Sequence, residues 1–457
     1  MGRRPPAESA ASDIRNPQRH NCAAQQISRC RAFHLHHSLT IDPVSLWRDA
    51  VNAPAPIPDH VPAELVVPFD FRNDEAIRQD PYGYIAGLKD CPDIFFSPDL
   101  GGYWVVRPSA AIGEVFSDHE RFTATSLAIP KRDSSVVLIP NNFDPPKHTK
   151  YRKAMANSLF SPRALATIDA DTRDFTLKLF EAFAPGRCEF VSEFAYKLPI
   201  DTFLNLMGAD LSLRDQCLSW IKLIFRGRTV EETNQGFIEA YTWVSQWLEE
   251  QLADPSRNSG SMFQALAQMT IDGEKPAFDD LRAMTLMLFS GGLDTITSQM
   301  THIMRFLAES PAHRQYLLDK PEEIPVALEE LLRRFGISFI GRAAAKDQTF
   351  HGVFMKQGDV VCAGTPIAGL DPDEWEDPLA VDFQRGGGKR VKHLGFGAGP
   401  HLCIGAYLAR KQLTIMMEEL LLRMPNLRIA ADTEAIENAA GATMMLRSLP
   451  LEWDVAG

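Results

Sequence analysis

The sequence lacks any run of about 18 consecutive apolar residues, so it does not predict a helix that spans a membrane. Its seven cysteines are an odd number spread widely over 457 residues, which argues against a disulfide framework and favours a reducing compartment. The net charge is −12 and the body of the chain has no long basic run, so nucleic acid is a poor candidate partner. These features predict a cytoplasmic protein without a membrane anchor.

The chain has two regions of different composition. In residues 1–50, arginine occurs among Ala, Ser, Gln and Asn without apolar periodicity, which fits either a targeting peptide or a disordered N-terminal extension. We expect the extension. A proline-rich lead-in follows over residues 52–68. The remainder, with 45% hydrophobic residues in the chain as a whole, has the composition of an ordinary globular domain.

The most informative stretch is residues 393–405, which holds four glycines, two histidines and Cys403. Glycines have no Cβ, so the backbone can turn tightly here and approach a flat ligand closely. Helix formers begin at Ala406, which places Cys403 beside a helix N-terminus, where a thiolate is favoured over a thiol. Such a soft anionic ligand suits iron. The alternative is a glycine-rich turn with a buried, inert cysteine. Pro400 occupies the position of the third glycine that a dinucleotide-binding fingerprint requires, which excludes that motif.

A second informative stretch is one unbroken helical pattern from Asp279 to Glu309, roughly 45 Å long. It contains the adjacent pair Gly291 and Gly292, which costs on the order of 1–2 kcal/mol relative to alanine and indicates a packing or ligand reason. An acid and a hydroxyl, the groups that a proton relay requires, follow at Asp294 and Thr295. The alternative is a helix-packing glycine pair beside a surface acid.

The pattern Phe396-Gly397-x-Gly399-x-His401-x-Cys403-x-Gly405 resembles the haem-binding loop of the cytochrome P-450 family, the haem-thiolate monooxygenases. The Gly-Gly-Leu-Asp-Thr run at 291–295 is similar to the distal helix of that family. Three further landmarks come in the family's order: His148 and Arg152 on one helix face, Glu330-x-x-Arg333, and a meander from Asp371-Pro372 to Arg385. The resemblance covers residues 50–457 and is closest to the soluble bacterial camphor-hydroxylase branch.

This resemblance implies a cytochrome P-450 fold, mainly α with small β-sheets, in which a long central helix lies over the haem. Residues 51–457 would form a single haem domain. It implies haem b as cofactor, with Cys403 as the metal ligand. The other residues that the resemblance places around the cofactor are His401, Arg342, Arg152, His148, Phe396, Gly397 and Gly405. A structural group is implied as well, formed by Glu330, Arg333 and Arg385.

The resemblance also implies the reaction: Thr295 would hold dioxygen with an ordered water, and Asp294 would control proton supply. The implied substrate-contacting residues are Met287, Ser290, Gly291, Ile340, Ser338 and Val136. Camphor itself is not expected, because the loop from Thr123 to Pro146 lacks the branch's tyrosine. We expect a compact apolar terpenoid or norisoprenoid, such as an ionone.

Electrons would have to come from another protein, since the chain carries no flavin or iron–sulfur fingerprint. The branch implies a [2Fe–2S] ferredoxin with an NADH-dependent ferredoxin reductase, docking near Arg152, and a monomeric enzyme. Two alternatives stay open. A peroxygenase or isomerase of the same haem family would not need Asp294 and Thr295, and a non-enzymatic haem-based sensor would usually bring an output domain.

Overall fold

The computed structural model describes residues 54–131, 137–227, 229–433, 436–439, 441 and 443–455. The predictions made for residues 1–50 and for Val136 lie outside these described residues. Among the residues described, no helix combines the length and apolar character needed to cross a bilayer.

Helices are the main regular elements, as the sequence predicts. In chain order they are α1 (Glu75–Gln79), α2 (Pro81–Ala86), α3 (Ser109–Ser117), α4 (Lys147–Ser158), α5 (Ile168–Glu181), α6 (Lys197–Met207), α7 (Arg214–Arg226), α8 (Val230–Ala253), α9 (Ser261–Gln268), α10 (Phe278–Glu309), α11 (Pro311–Asp319), α12 (Ile324–Arg334), α13 (Thr365–Gly369) and α14 (Ala406–Arg423). Small sheets accompany them, so the predicted class, mainly α with small β-sheets, is confirmed.

The largest sheet has the strand order β1-β2-β8-β5-β3. The strands in chain order are β1 (Ile94–Ser97), β2 (Tyr103–Val106), β3 (Phe122–Thr123), β4 (Arg187–Glu189), β5 (Phe339–Ala344), β6 (Gln348–Phe350), β7 (Val353–Met355), β8 (Val360–Gly364), β9 (Arg428–Ile429), β10 (Asn438–Ala439), β11 (Met445–Leu446) and β12 (Pro450–Glu452). Strands β2 and β8 run parallel, and the other neighbours in this sheet are antiparallel. The sheet matters for the site because β5 carries the segment around Arg342.

One turn differs from the prediction. The sequence predicts hairpin strands between residues 350 and 361 with their turn at residues 356–359, but β6 and β7 meet at His351 and Gly352. Both turn residues have positive φ, 44° and 83°, and glycine accepts this region without steric cost. The predicted turn instead connects β7 to β8.

Helix α10 runs through the centre of the hydrophobic core. Its first half packs into one core cluster through Met284, Phe289 and Leu293, and its second half packs into another through Met300 and Met304. The helix continues without a break across residues 291–292. Because α10 is anchored in both clusters, residues near its middle have a rigid support.

A buried ion pair holds α12 against the meander. Glu330 and Arg333 are fully buried, and the Arg333 Nε and Nη2 atoms lie 2.8 and 2.7 Å from the two Glu330 carboxylate oxygens. Arg333 also donates to the carbonyl oxygens of residues 369, 378 and 380. Arg385 Nε donates to Glu330 Oε1 at 3.0 Å. The three residues of the predicted structural group therefore lie together.

Replacing Arg333 should destabilise the protein strongly. The change Arg333→Met removes the two-pronged partner of the buried Glu330 carboxylate, leaving Arg385 as its remaining cation, and removes the donor to three carbonyl oxygens. We expect a loss of about 3–5 kcal/mol in the free energy of unfolding. Arg305→Met is the matched control, because Arg305 pairs with Glu309 at 3.0 Å on a solvent-exposed helix face and its loss should cost under about 1 kcal/mol. Denaturant titration of both variants, each compared with the unchanged protein, measures this; equal losses would contradict the role given to Arg333.

Candidate active site

The loop before α14 has a backbone that only glycine accommodates at two points. Gly397 and Gly399 adopt positive φ values of 71° and 65°. A Cβ on Gly399 would lie 2.6 Å from the Cα of Ser117, so this part of the loop packs directly against the end of α3. The Cys403 N–H donates to the Phe396 carbonyl oxygen at 2.9 Å and closes the loop on itself. Cys403 is thereby held three residues before the start of α14.

Cys403 is an exposed residue, although many protein atoms surround its sulfur. Burial raises the pKa of its thiol above the usual range, while the Gly405 N–H and the cations of Arg152 and Arg410 act in the opposite direction. Burial therefore opposes the thiolate that the sequence analysis expects, while the neighbouring N–H and cations favour it. A cationic ligand such as iron would favour the thiolate further.

Four basic residues from three elements gather beside the loop: His148 and Arg152 on α4, Arg342 on β5, and His401. The rings of His148 and His401 lie with their centroids 4.0 Å apart. Both ring nitrogens of His148 and Nε2 of His401 are buried without a hydrogen-bond partner among the described protein atoms. Arg342 is 3% exposed and donates to the Gly341 carbonyl oxygen. Buried polar groups without partners are rare, so these groups fit an anionic ligand.

Electrostatics supports the same interpretation. Burial, with smaller contributions from the neighbouring arginine cations, lowers the pKa of His148 to about 4 and that of His401 to about 3. Burial also lowers the pKa of Arg342 to about 10. Asp144 is the acid facing this group, but its carboxylate already accepts the Ala124 N–H at 2.9 Å. Carboxylates of a bound group would relieve the clustered positive charge.

The middle of α10 forms a second wall with room beside it. Gly291 and Gly292 are exposed although most of α10 around them is buried. A Cβ on Gly292 would meet no atom within 4 Å, and one on Gly291 would meet only the Met287 sulfur, at 3.9 Å. The half-buried Thr295 donates its hydroxyl hydrogen to the Gly291 carbonyl oxygen at 2.9 Å. Protein packing thus does not explain the glycine pair, and the open space beside it fits a ligand.

Asp294 is fully buried and held by two residues that the sequence analysis missed. Arg226, the last residue of α7, lies 2.8 Å from its Oδ1, and the Thr443 hydroxyl donates to its Oδ2. A buried carboxylate requires such partners, so the sequence could have indicated that a cation was needed. It could not indicate which one, because residues 226, 294 and 443 are far apart in the chain.

The candidate substrate residues come from α10 and β5. Met287 and Ser290 are buried on α10, while Ser338, just before β5, and Ile340, within it, are half-buried. Ser338 forms a β-bridge with Thr443, the residue that holds Asp294. The C-terminal segment therefore contacts both Asp294 on α10 and the residue that precedes β5. Val136 lies outside the described residues.

Comparison with known proteins supports this picture. A family model described as Cytochrome P450 matches residues 324–425. Cytochrome P450 107B1 of Saccharopolyspora erythraea is 30% identical over 379 residues, which are 79% of this chain and 92% of the relative. A probable cytochrome P450 127A1 of Sinorhizobium fredii is 29% identical over 87% of this chain and 97% of its own length. The match to the crystal structure of CYP101C1 covers 87% of this chain and 100% of the CYP101C1 chain, with 30% sequence identity and a TM-score of 0.79.

Three features together define a haem-thiolate enzyme: one cysteine on a glycine-rich loop, buried histidines without protein partners, and a helix whose glycine pair has open space beside it. The chain belongs to the cytochrome P-450 family of monooxygenases. Haem b on an axial cysteine thiolate is the cofactor of this family, and Cys403 is the cysteine at that place. The orphaned nitrogens of His148 and His401 and the buried Arg342 fit the propionate groups of the haem.

Proposed function

We propose that this monooxygenase hydroxylates a small hydrophobic terpenoid or norisoprenoid with O2 and electrons from a [2Fe–2S] ferredoxin. The observation that carries the proposal is the arrangement on α10, where the Thr295 hydroxyl stands beside two open glycines and next to a buried, held acid. Such a pair of groups is suited to proton delivery at a site from which bulk water is excluded.

Haem bound through Cys403 supplies the oxygen-reducing and C–H-oxidising chemistry. The protein groups bind and orient it. Arg152 and Arg342 offer their cations to the propionates, and the neutral rings of His148 and His401 offer hydrogen bonds. Gly291 and Gly292 leave room for a small molecule beside α10.

Thr295 and Asp294 move the protons in this proposal. Thr295 Oγ1 can exchange its bond to the Gly291 carbonyl oxygen for a donor bond into the open space, because a hydroxyl both donates and accepts. Asp294 is held by Arg226 and Thr443, so its carboxylate must leave one of these donors before it can pass a proton towards Thr295. Arg226 and Thr443 thus control how readily Asp294 serves the site.

Removing the Thr295 hydroxyl should uncouple the reaction. We expect Thr295→Ala to retain NADH consumption through the ferredoxin but to divert most of it to hydrogen peroxide, because protons no longer arrive in order. Thr295→Ser should restore much of the coupling. The ratio of product and peroxide to NADH consumed measures this.

The Cys403→Ala variant is the control for the cofactor. The CO complex of the reduced wild-type protein should show the red-shifted Soret band of thiolate ligation, and Cys403→Ala should lose it. Full coupling in Thr295→Ala would contradict the proton-relay role. Efficient product formation by that variant with peroxide alone would instead favour the peroxygenase alternative.

The substrate class rests on the character of the pocket residues. Met287 and Ile340 are apolar, and the Ser290 hydroxyl lies 3.3 Å from the Met287 carbonyl oxygen, so it is occupied within its own helix. A pocket lined in this way favours a compact apolar compound with few polar groups. Camphor is not favoured, because the loop from Thr123 to Pro146 lacks the tyrosine of the camphor-hydroxylase branch.

Binding should follow this preference. We expect ionone- and cineole-like compounds to shift the haem to high spin at lower concentration than camphor does, as recorded by optical titration. Ile340→Asp should weaken binding of the apolar compound about tenfold or more, because it introduces an uncompensated charge. Tight camphor binding together with no response to the ionones would overturn the substrate proposal.

We infer that the ferredoxin docks on the face where Arg152 meets the Cys403 loop. The Arg152 guanidinium donates to the Leu402 carbonyl oxygen, and Leu402 and Tyr407 are exposed apolar side chains beside it. Lys153 and Lys392 are exposed nearby in the chain. An apolar centre with basic residues around it suits an acidic partner.

Charge reversal on this face should slow electron transfer. The double variant Lys153→Glu and Lys392→Glu should reduce the rate of haem reduction by the ferredoxin severalfold, most strongly at low salt. Lys356→Glu, on the connection between β7 and β8, is the matched control. Stopped-flow reduction under CO measures the rate; equal rates in both variants would contradict the docking face.

The cytoplasmic location is supported by the free thiols of Cys188, Cys217 and Cys362. The monomeric state stays a prediction from the family resemblance, which sedimentation would measure.

A further inference from the structure

A second buried carboxylate on α12 contacts the loop that holds Cys403. Glu329 precedes Glu330 in the chain but takes no part in the Glu330–Arg333 pair. Its side chain is 2% exposed and accepts a two-pronged interaction from Arg410 on α14, at 2.7 Å from Nε and 2.8 Å from Nη2. His393 Nε2 lies 3.0 Å from the same carboxylate. Glu329 therefore joins α12, α14 and the start of the Cys403 loop.

The hydrogen bonds of His393 determine its tautomer. The Gly395 N–H donates to His393 Nδ1 at 2.9 Å, so Nδ1 carries no proton. The proton of the neutral ring is then on Nε2 and is donated to Glu329. His393 thus transmits the position of the carboxylate to the backbone of Gly395, where the loop begins its turn.

Arg410 makes a second connection to the loop. Its guanidinium lies over the Phe396 ring, 4.4 Å from the centroid, while its fork is fixed by Glu329. The Phe396 carbonyl oxygen accepts the Cys403 N–H at 2.9 Å. Arg410 is also one of the cations that act on the Cys403 thiol, against the effect of burial. Contacts therefore run from Glu329 through Arg410 and Phe396 to Cys403.

Glu329 is charged in this environment. Burial by itself would raise its pKa, but the hydrogen bonds from His393 and Arg410 outweigh burial and lower it to about 2. The carboxylate can thus hold the Arg410 cation in place at neutral pH.

We propose that Glu329 is a positioning residue for the axial thiolate: through Arg410 and His393 it fixes the Phe396–Cys403 segment and balances the charge that Arg410 brings to the sulfur. This inference rests on the proposed haem-thiolate function. It assigns Arg410, although it is near the exposed face of the loop, to the internal support of the cysteine and not to ferredoxin docking.

Two properties of the haem-loaded protein test the proposal. Glu329→Gln keeps the shape but removes the negative charge, so the haem reduction potential should shift to a more positive value. Backbone amide exchange of the peptide spanning residues 395–403 should become about tenfold faster, since hydrogen bonds to a charged group are lost. Potentiometric titration measures the first property, and hydrogen–deuterium exchange with mass spectrometry measures the second.

Two further variants separate charge from geometry. Arg410→Lys retains the charge but loses the two-pronged bond, so exchange should accelerate while the potential stays near that of the wild type. Glu418→Gln is the matched control: it removes a carboxylate from α14 that binds Arg173 at 2.8 Å, two turns beyond Arg410, and should change neither property.

Unchanged potential and unchanged exchange in Glu329→Gln would overturn the proposal. If that variant does not fold, Arg410→Lys decides: wild-type exchange over residues 395–403 would overturn the proposal, and faster exchange would support it. If the CO complex of the reduced wild-type protein does not show the red-shifted Soret band, the haem-thiolate function itself is overturned. The two failures are therefore distinguishable.

Discussion

Two adjacent buried carboxylates on one helix hold the parts of the structure on which the site depends. Residues that follow each other on a helix point about 100° apart, so Glu330 faces the meander and Glu329 faces the cysteine loop. Each acid is paired with an arginine through two bonds, and each arginine contacts a further segment of the chain. Removing one partner would leave a buried charge unpaired, so the two networks fix both segments relative to α12.

Charge is distributed unevenly around the cysteine, with a functional consequence. On the side of α12 and α14, every buried charge described above has a protein partner. On the side of α4 and β5, buried histidine nitrogens and the Arg342 cation lack a free carboxylate. This incomplete pairing is costly for the protein alone and becomes favourable when an anionic ligand binds. The charges that support the cysteine loop are therefore paired within the protein, whereas those beside α4 and β5 can bind an anionic ligand.

The side of the site formed by α10 depends on a contact between distant parts of the chain. Asp294 on α10 is bonded to the end of α7 and to the C-terminal segment, which also bridges to β5 at Ser338. The acid that we assign to proton delivery and the wall that we assign to substrate contact therefore share Thr443. A rigid α10, anchored in two core clusters, keeps Thr295 and the glycine pair in a constant relation to that contact.

The local pattern alone determined the long helix, the helices around the site, the glycine-shaped loop and the residue types needed for iron and proton chemistry. These follow from short-range periodicity and from the steric freedom of glycine, which act within a few residues. Only the tertiary structure decided that Arg226 and Thr443 hold Asp294 and that Glu329 contacts the cysteine loop. It also decided which groups act on the thiol pKa of Cys403, which burial raises and the cations of Arg152 and Arg410 lower. Desolvation and ion pairing depend on which distant segments meet, and no local pattern carries that information.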